Sequence, residues 1–143
     1  ASGRAEFGPR ALGNRSLLAD PRDSNIKDAI NDIKRRQKFR PFAPAILEEY
    51  ATEYFDGPMN EYMQFVAKAK HDYSSVTHVD GTARVQVVKK GCGSAIRQIL
   101  EEWYESTGCP MLLNTSLNIK GKPMVNTKED AEEFSRLYNV AVF

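Results

Sequence analysis

Residues 34–47, KRRQKFRPFAPAIL, run five positive charges straight into a stretch with prolines at 41 and 44. Proline has no amide hydrogen, and its ring disfavours a helical conformation at the residue before it. No helix can therefore pass through residues 41–44, and RPFAPAILEE is expected to be an extended, partly buried strand. The residues before it read differently. In PRDSNIKDAINDIKRRQ, Ile26, Ala29, Ile30 and Ile33 recur at helical spacing, and Asp23 or Ser24 can cap the first turn. This helix is expected to end near Arg36. A cationic run is thus held between a helix end and a buried strand, a constrained place for so much charge.

Further elements follow from similar signals. EYMQFVAKAK is a strand candidate and HDYSSVTHVDG a polar loop of a kind that often moves or binds. TARVQVVKK alternates Arg84, Gln86 and Val88 against Val85 and Val87, the period of a strand. GSAIRQILEEWYESTG is the clearest helix, with Ser94 as cap, Ile96, Ile99, Leu100 and Trp103 as the buried stripe, and Gly108 as stop. PMLLNTS reads as a short apolar strand. NTKEDAEEFSRLYN has Thr127 and Asp130 at capping-box spacing and is expected to bury Ala131, Phe134 and Leu137. VAVF reads as a final strand. Strands and helices interleave without repeat or linker, which predicts one α/β (α+β) domain over residues 1–143 with a mixed sheet.

Charge narrows the ligand class. The chain has 20 basic and 19 acidic residues, so the whole domain is not built for a polyanion, and nucleic acid is not the expected partner. A local cationic pocket in a neutral domain points to a small anion. No apolar run approaches the roughly 18 residues needed to cross a bilayer. Cys92 and Cys109 have no CxxC spacing and no adjacent histidine, which fits reduced thiols in a cytoplasmic protein better than a metal site.

Three segments carry candidate chemistry. EFGPRALGNRS alternates backbone restriction and freedom at Gly8, Pro9 and Gly13, and offers Arg10, Asn14, Arg15 and Ser16 as donors. Taken alone it also reads as a surface loop with its arginines paired to Asp20 and Asp23. KRRQKFRPF supplies Lys34, Arg36 and Arg40, with Phe39 as an adjoining aromatic and Pro41 as a rigid exit; the other reading is a solvated basic face. LLNTSLN ends a strand in Asn114, Thr115, Ser116 and Asn118, at the mouth where α/β proteins commonly bind nucleotides, or forms an ordinary polar turn. No GxxxxGK[ST], HExxH or Ser-His-Asp order is present.

Read in order, GRAEFGPRALGNRSLLADPRD, KRRQKFRPFAPAILEE, DGTARVQVV and PMLLNTSLNIKGKPMVNTKEDA resemble the C-terminal domain of the NodU/CmcH-type O-carbamoyltransferases, from Gly3 to about Ala131. The resemblance implies a YrdC-like fold, a twisted mixed sheet flanked by helices with a concave basic site. It also implies an activity: activation of carbamoyl phosphate with ATP to give carbamoyl adenylate and pyrophosphate. A separate N-terminal Kae/ASKHA-like domain, which carries its own metal, would then transfer the carbamoyl group to an acceptor hydroxyl. The K-x-R and S-x-N elements of YrdC-like proteins fall on Lys34 with Arg36 and on Ser116 with Asn118.

On that resemblance, Lys34 would lie near the transferring group, with Arg10, Arg36 and Arg40 clamping phosphate oxygens. Asn14, Arg15, Arg84, Asn114, Ser116 and Asn118 would bind ATP or carbamoyl phosphate, and Mg²⁺ would come with the nucleotide. Gln37 stands where the family usually has Glu, and Leu117 where Phe is common. Relatives generally have a short apolar strand before the glycine-arginine element. The expectation is therefore a fragment without that strand or the transferase domain, unable to carbamoylate an acceptor alone. Rival expectations are a threonylcarbamoyl-adenylate-type synthase, a non-catalytic RNA-binding module of the same fold, and an inactive fragment.

Overall fold

Proline placement organises the central sheet. A computed structural model describes residues 1–143. Strand β1 (Ser16–Ala19) is followed by α1 (Ile26–Ile33), β2 (Ala43–Leu47), a 3-10 turn (Glu48–Tyr50), α2 (Ala51–Tyr54) and β3 (Phe55–Asp56). Then come β4 (Ala67–Ala69), β5 (Thr82–Ala83), β6 (Gln86–Val88), α3 (Ala95–Thr107), β7 (Met111–Ser116) and α4 (Lys128–Tyr138). Pro44 lies inside β2, a central strand. Strand β6 joins β2 only from Ala45 onward, so the missing N–H of Pro44 leaves no bond to β6 unmade.

The larger sheet has the order β1-β7-β2-β6, with β7 antiparallel to both neighbours and β2 parallel to β6. The smaller, β3-β4-β5, is antiparallel. Two sheets, the larger one mixed, and four helices make this the α+β fold expected from the interleaved patterns. Both faces of β7 are buried. Leu113 packs with Leu17, Ile30, Phe42 and Phe134, while Leu112 packs with Ala45, Ile96 and Leu100 beneath α3. Full burial of one such leucine stabilises the fold by about 1.5–3 kcal/mol. A third cluster, including Ile46, Phe55, Val85 and Met111, ties the small sheet to the large one.

Several local expectations are corrected. Helix α1 begins after Asn25, which makes no side-chain cap bond; Asp23 instead accepts from the Asn25 N–H at 2.8 Å. The helix stops at Ile33 because Arg35 turns left-handed, with φ 52°. Within it Ala29 is exposed and Asn31 is buried. In α3, Ile99 is exposed and Arg97 takes the buried place, satisfied by Glu49, Glu101 and the Val88 carbonyl. Ser94 caps without a side-chain bond, whereas Gly108 does end the helix, at φ 69°.

The 127/130 capping box forms as read, with Ala131 and Phe134 buried, but Leu137 is exposed. VAVF is not a strand; the Phe143 carbonyl accepts from the Ala1 amino group at 2.6 Å. TARVQVVKK is not one strand either. It breaks at Arg84 and Val85 into β5, in the small sheet, and β6, in the large one. That break sets Arg84 between the two sheets.

Candidate anion-binding site

The opening loop is shaped from within and seated from below. Glu6 Oε1 accepts from the Leu12 and Asn14 backbone N–H groups, each at 2.7 Å, closing residues 6–14 on themselves. Gly13 has φ +127°, and a Cβ there would lie 2.8 Å from Ile96 Cβ, so only glycine lets the loop settle on α3. Two amides then pin it to the sheet: Asn114 Nδ2 donates to the Ala11 carbonyl at 3.1 Å, and Gln86 Nε2 to that of Leu12 at 2.8 Å. The loop therefore holds Pro9, Arg10 and Ala11 as one wall of a cleft.

The cationic run is equally ordered, by Asn31. Its buried amide donates to the Lys38 and Arg40 carbonyls at 3.4 and 3.0 Å, and its Oδ1 accepts from Arg36 Nε at 2.8 Å. The Arg36 guanidinium also lies 4.4 Å from the Phe42 ring centre, a cation–π contact. Phe42, not Phe39, is thus the aromatic partner; Phe39 is exposed and does not line the cleft.

The cleft has a volume of about 550 Å³ and lies where β7 ends and β2 begins. Arg10, Arg36, Arg40 and Arg84 line it together with His78, Asn114 and Ser116, and no carboxylate does. Burial, with Arg40 and Arg84 next, lowers the Arg36 pKa; burial and then Arg10 lower that of Arg84. Arginine nonetheless stays protonated, so the cluster is uncompensated positive charge. Arg84 Nε is a buried donor without a hydrogen-bond partner, whereas the unpartnered Asn114 Oδ1 is an acceptor that an anion cannot meet. Four guanidinium groups without a carboxylate can hold an anion with several oxygens.

Lys34 and its partners lie next door. Lys34 is 4% exposed, and its Nζ donates to the Ser116 carbonyl, the Asn118 carbonyl at 2.9 Å and Asn118 Oδ1 at 3.0 Å. The K-x-R and S-x-N elements, 82 residues apart between Lys34 and Ser116, thus meet in space. Burial first, and Arg36 second, lower the Lys34 pKa to about 8. Lys34, Gln37 and Asn118 line a smaller cavity of about 250 Å³ that shares Arg36, Arg40 and Ser116 with the cleft.

Two candidates are placed elsewhere. The Arg15 guanidinium is spent on five backbone carbonyls, among them Val125 at 3.0 Å and Ser2 at 2.9 Å. Asn14 donates to the Arg4 carbonyl at 2.8 Å; neither residue lines the cleft. Neither Arg10 nor Arg15 pairs with Asp20, which binds Arg22 instead. Residue patterns did not single out Asn31, Gln86 or His78, although His78 falls in the polar loop HDYSSVTHVDG. Gln86 had a signal, a polar residue in an apolar strand; Asn31 was hidden among isoleucines.

No group of three His, Cys, Asp or Glu side chains is positioned to hold a metal. With no carboxylate in the cleft, the residues present do not fit a protein-held ion.

Fold and cleft define an α+β domain built around a cationic pocket. The sequence matches the family described as Carbamoyltransferase C-terminus over residues 1–142, and the chain belongs to that family. It is 47% identical over 138 residues to nodulation protein NolNO of Sinorhizobium fredii (strain NBRC 101917 / NGR234), covering 90% of this chain and 20% of that protein. With nodulation protein U of Rhizobium tropici it shares 38% identity over 144 residues, 97% of this chain and 25% of that protein. An uncharacterized protein of Methanocaldococcus jannaschii is 42% identical over 135 residues, covering 90% of this chain and 22% of its own length. The chain therefore spans only a fifth to a quarter of these relatives. No helix is long and apolar enough to cross a membrane.

Proposed function

We propose that this domain binds ATP and carbamoyl phosphate and forms carbamoyl adenylate, which a separate transferase domain passes to an acceptor hydroxyl. The observation that carries the reading is the cleft of about 550 Å³ with four arginines and no carboxylate. Carbamoyl phosphate and ATP repel each other strongly, and fixed cations let both approach. Atom balance requires one water. It releases phosphate from carbamoyl phosphate, a carbamate oxygen attacks the α-phosphorus, and pyrophosphate leaves.

Arg10, on the pinned loop, and Arg84, at the break between the sheets, face the same cavity as Arg36 and Arg40 on the cationic turn. Together they would clamp phosphate oxygens from opposite walls. Lys34 would act more indirectly, by bonding Ser116 and Asn118 and so fixing the wall where the ribose or α-phosphate rests. Catalysis on this reading is alignment plus charge stabilisation, with no side-chain nucleophile.

The test is pyrophosphate release from labelled ATP and Mg²⁺ that depends on carbamoyl phosphate. Release only when both substrates are present is expected. No release, with no ATP binding by calorimetry, refutes the reading for this chain, and tight RNA binding with a steep salt dependence would favour the RNA-binding alternative.

A further inference from the structure

The ionisable side chains lining the cleft are four arginines and His78. An arginine cannot take up a proton near neutrality. Lys34 does not line this cleft, and its ammonium hydrogens are engaged by Ser116 and Asn118. If a proton moves in the cleft, His78 is the ionisable side chain able to accept it.

Its neighbours fix which nitrogen does so. The Thr82 hydroxyl donates its single hydrogen to Asp80 Oδ1 at 2.7 Å, while the Thr82 backbone N–H donates to the same oxygen at 3.0 Å. With that hydrogen spent, Thr82 Oγ1 meets His78 Nδ1 at 2.9 Å as an acceptor. Nδ1 must therefore carry the ring hydrogen of the neutral imidazole, which leaves Nε2 with a lone pair and no hydrogen-bond partner. The turn is held by the His78 backbone N–H donating to the Thr82 carbonyl at 2.7 Å, and that of Gly81 to the His78 carbonyl at 3.0 Å.

The geometry points to His78 Nε2 as the general base for water attack on the acyl phosphate in this cleft, with Thr82 and Asp80 as positioning residues. This inference rests on the proposed carbamoyl phosphate reading. As the water oxygen bonds the carbonyl carbon, one water proton passes to Nε2. The carbon–oxygen bond to phosphate then breaks, its electron pair leaves on phosphate, and Nε2 returns the proton there. The products are carbamic acid, which ionises to carbamate, and hydrogen phosphate. The arginines neutralise the leaving phosphate.

The experiment measures phosphate release from carbamoyl phosphate without nucleotide, above the spontaneous rate, alongside calorimetric phosphate binding. His78→Ala is expected to slow release about 10²- to 10⁴-fold with phosphate affinity nearly unchanged, and added imidazole to restore part of the rate. His78→Gln serves as a second variant should the first fail to fold. In the wild-type chain, ¹⁵N NMR is expected to show the Nδ1–H tautomer, and Thr82→Val to abolish that preference. An Nε2–H tautomer, or full activity in His78→Ala, overturns the assignment. A wild-type chain that binds phosphate but does not speed release overturns the proton role and leaves the pocket reading standing. One that binds no phosphate overturns both.

Discussion

Asn114 on β7 donates to Gln86 Oε1 on β6 at 2.7 Å, although β2 runs between those two strands. The bridge is possible because β2 places alanines beneath it: Ala43 pairs with Asn114 and Ala45 with Gln86. Larger side chains there would separate the two amides. From this bridge both residues reach up to the loop that carries Arg10.

Asn114→Leu should therefore act twice. It leaves the Ala11 carbonyl and Gln86 Oε1 unpaired, costing about 1–3 kcal/mol in urea unfolding. It also frees the loop, so phosphate affinity should fall even though no arginine is lost. Unchanged affinity in a folded variant would show that Arg10 is not positioned through this bridge.

Gly13→Ala tests the seat of the same loop. The new methyl would meet Ile96 at 2.8 Å in a backbone conformation with φ +127°. A loss of about 1–3 kcal/mol is expected from overpacking and strain. A neutral result in chemical denaturation would mean that the loop lifts away from α3 freely.

The carboxyl of Glu49 is held at about 2, chiefly by its hydrogen bonds from Arg97. A carboxylate depressed in the folded state adds stability above its unfolded pKa of about 4.5, and this is lost as pH falls from there toward 2. With the Glu49 side chain 37% exposed, solvent screens the effect to on the order of 1 kcal/mol. Between pH 5 and pH 2 the wild type should lose that much more stability than Glu49→Gln. Equal losses would contradict the pairing.

Lys34 behaves in the opposite sense. Its pKa falls from 10.5 to about 8 on folding, so the unfolded chain binds more protons between those values. Stability should rise as pH climbs from about 8 to 10.5, relative to Lys34→Met, in urea unfolding at each pH. The gain should stay below about 3 kcal/mol, because the oxygens around Nζ favour the ammonium. A flat difference between the two proteins would mean that Lys34 is as well solvated folded as unfolded.

Much of the fold was legible because its signals are local. Pro41 and Pro44 fixed the extended start of β2, Gly108 fixed the end of α3, and Thr127 with Asp130 fixed the start of α4. What periodicity could not reveal was polar burial answered from a distance. Arg97 is buried because Glu49, 48 residues away, meets it, and Asn31 because the turn after it needs its amide. The break at Arg84 depends on two sheets meeting, which an alternating pattern cannot register. In the candidate site, Lys34, Ser116 and Asn118 do come together, while Arg15 and Asn14 are occupied by backbone contacts whose partners include residues 125 and 126.

The central claim is that the four-arginine cleft is the polyphosphate site. The most direct measurement is calorimetric titration of Mg²⁺-ATP into the wild-type chain and into Arg36→Met and Arg84→Met. Saturable binding by the wild type, weakened tenfold or more in each variant, which is about 1.4 kcal/mol, is the predicted result. Folded variants that bind as tightly as the wild type, or a folded wild type that binds no nucleotide, would contradict it.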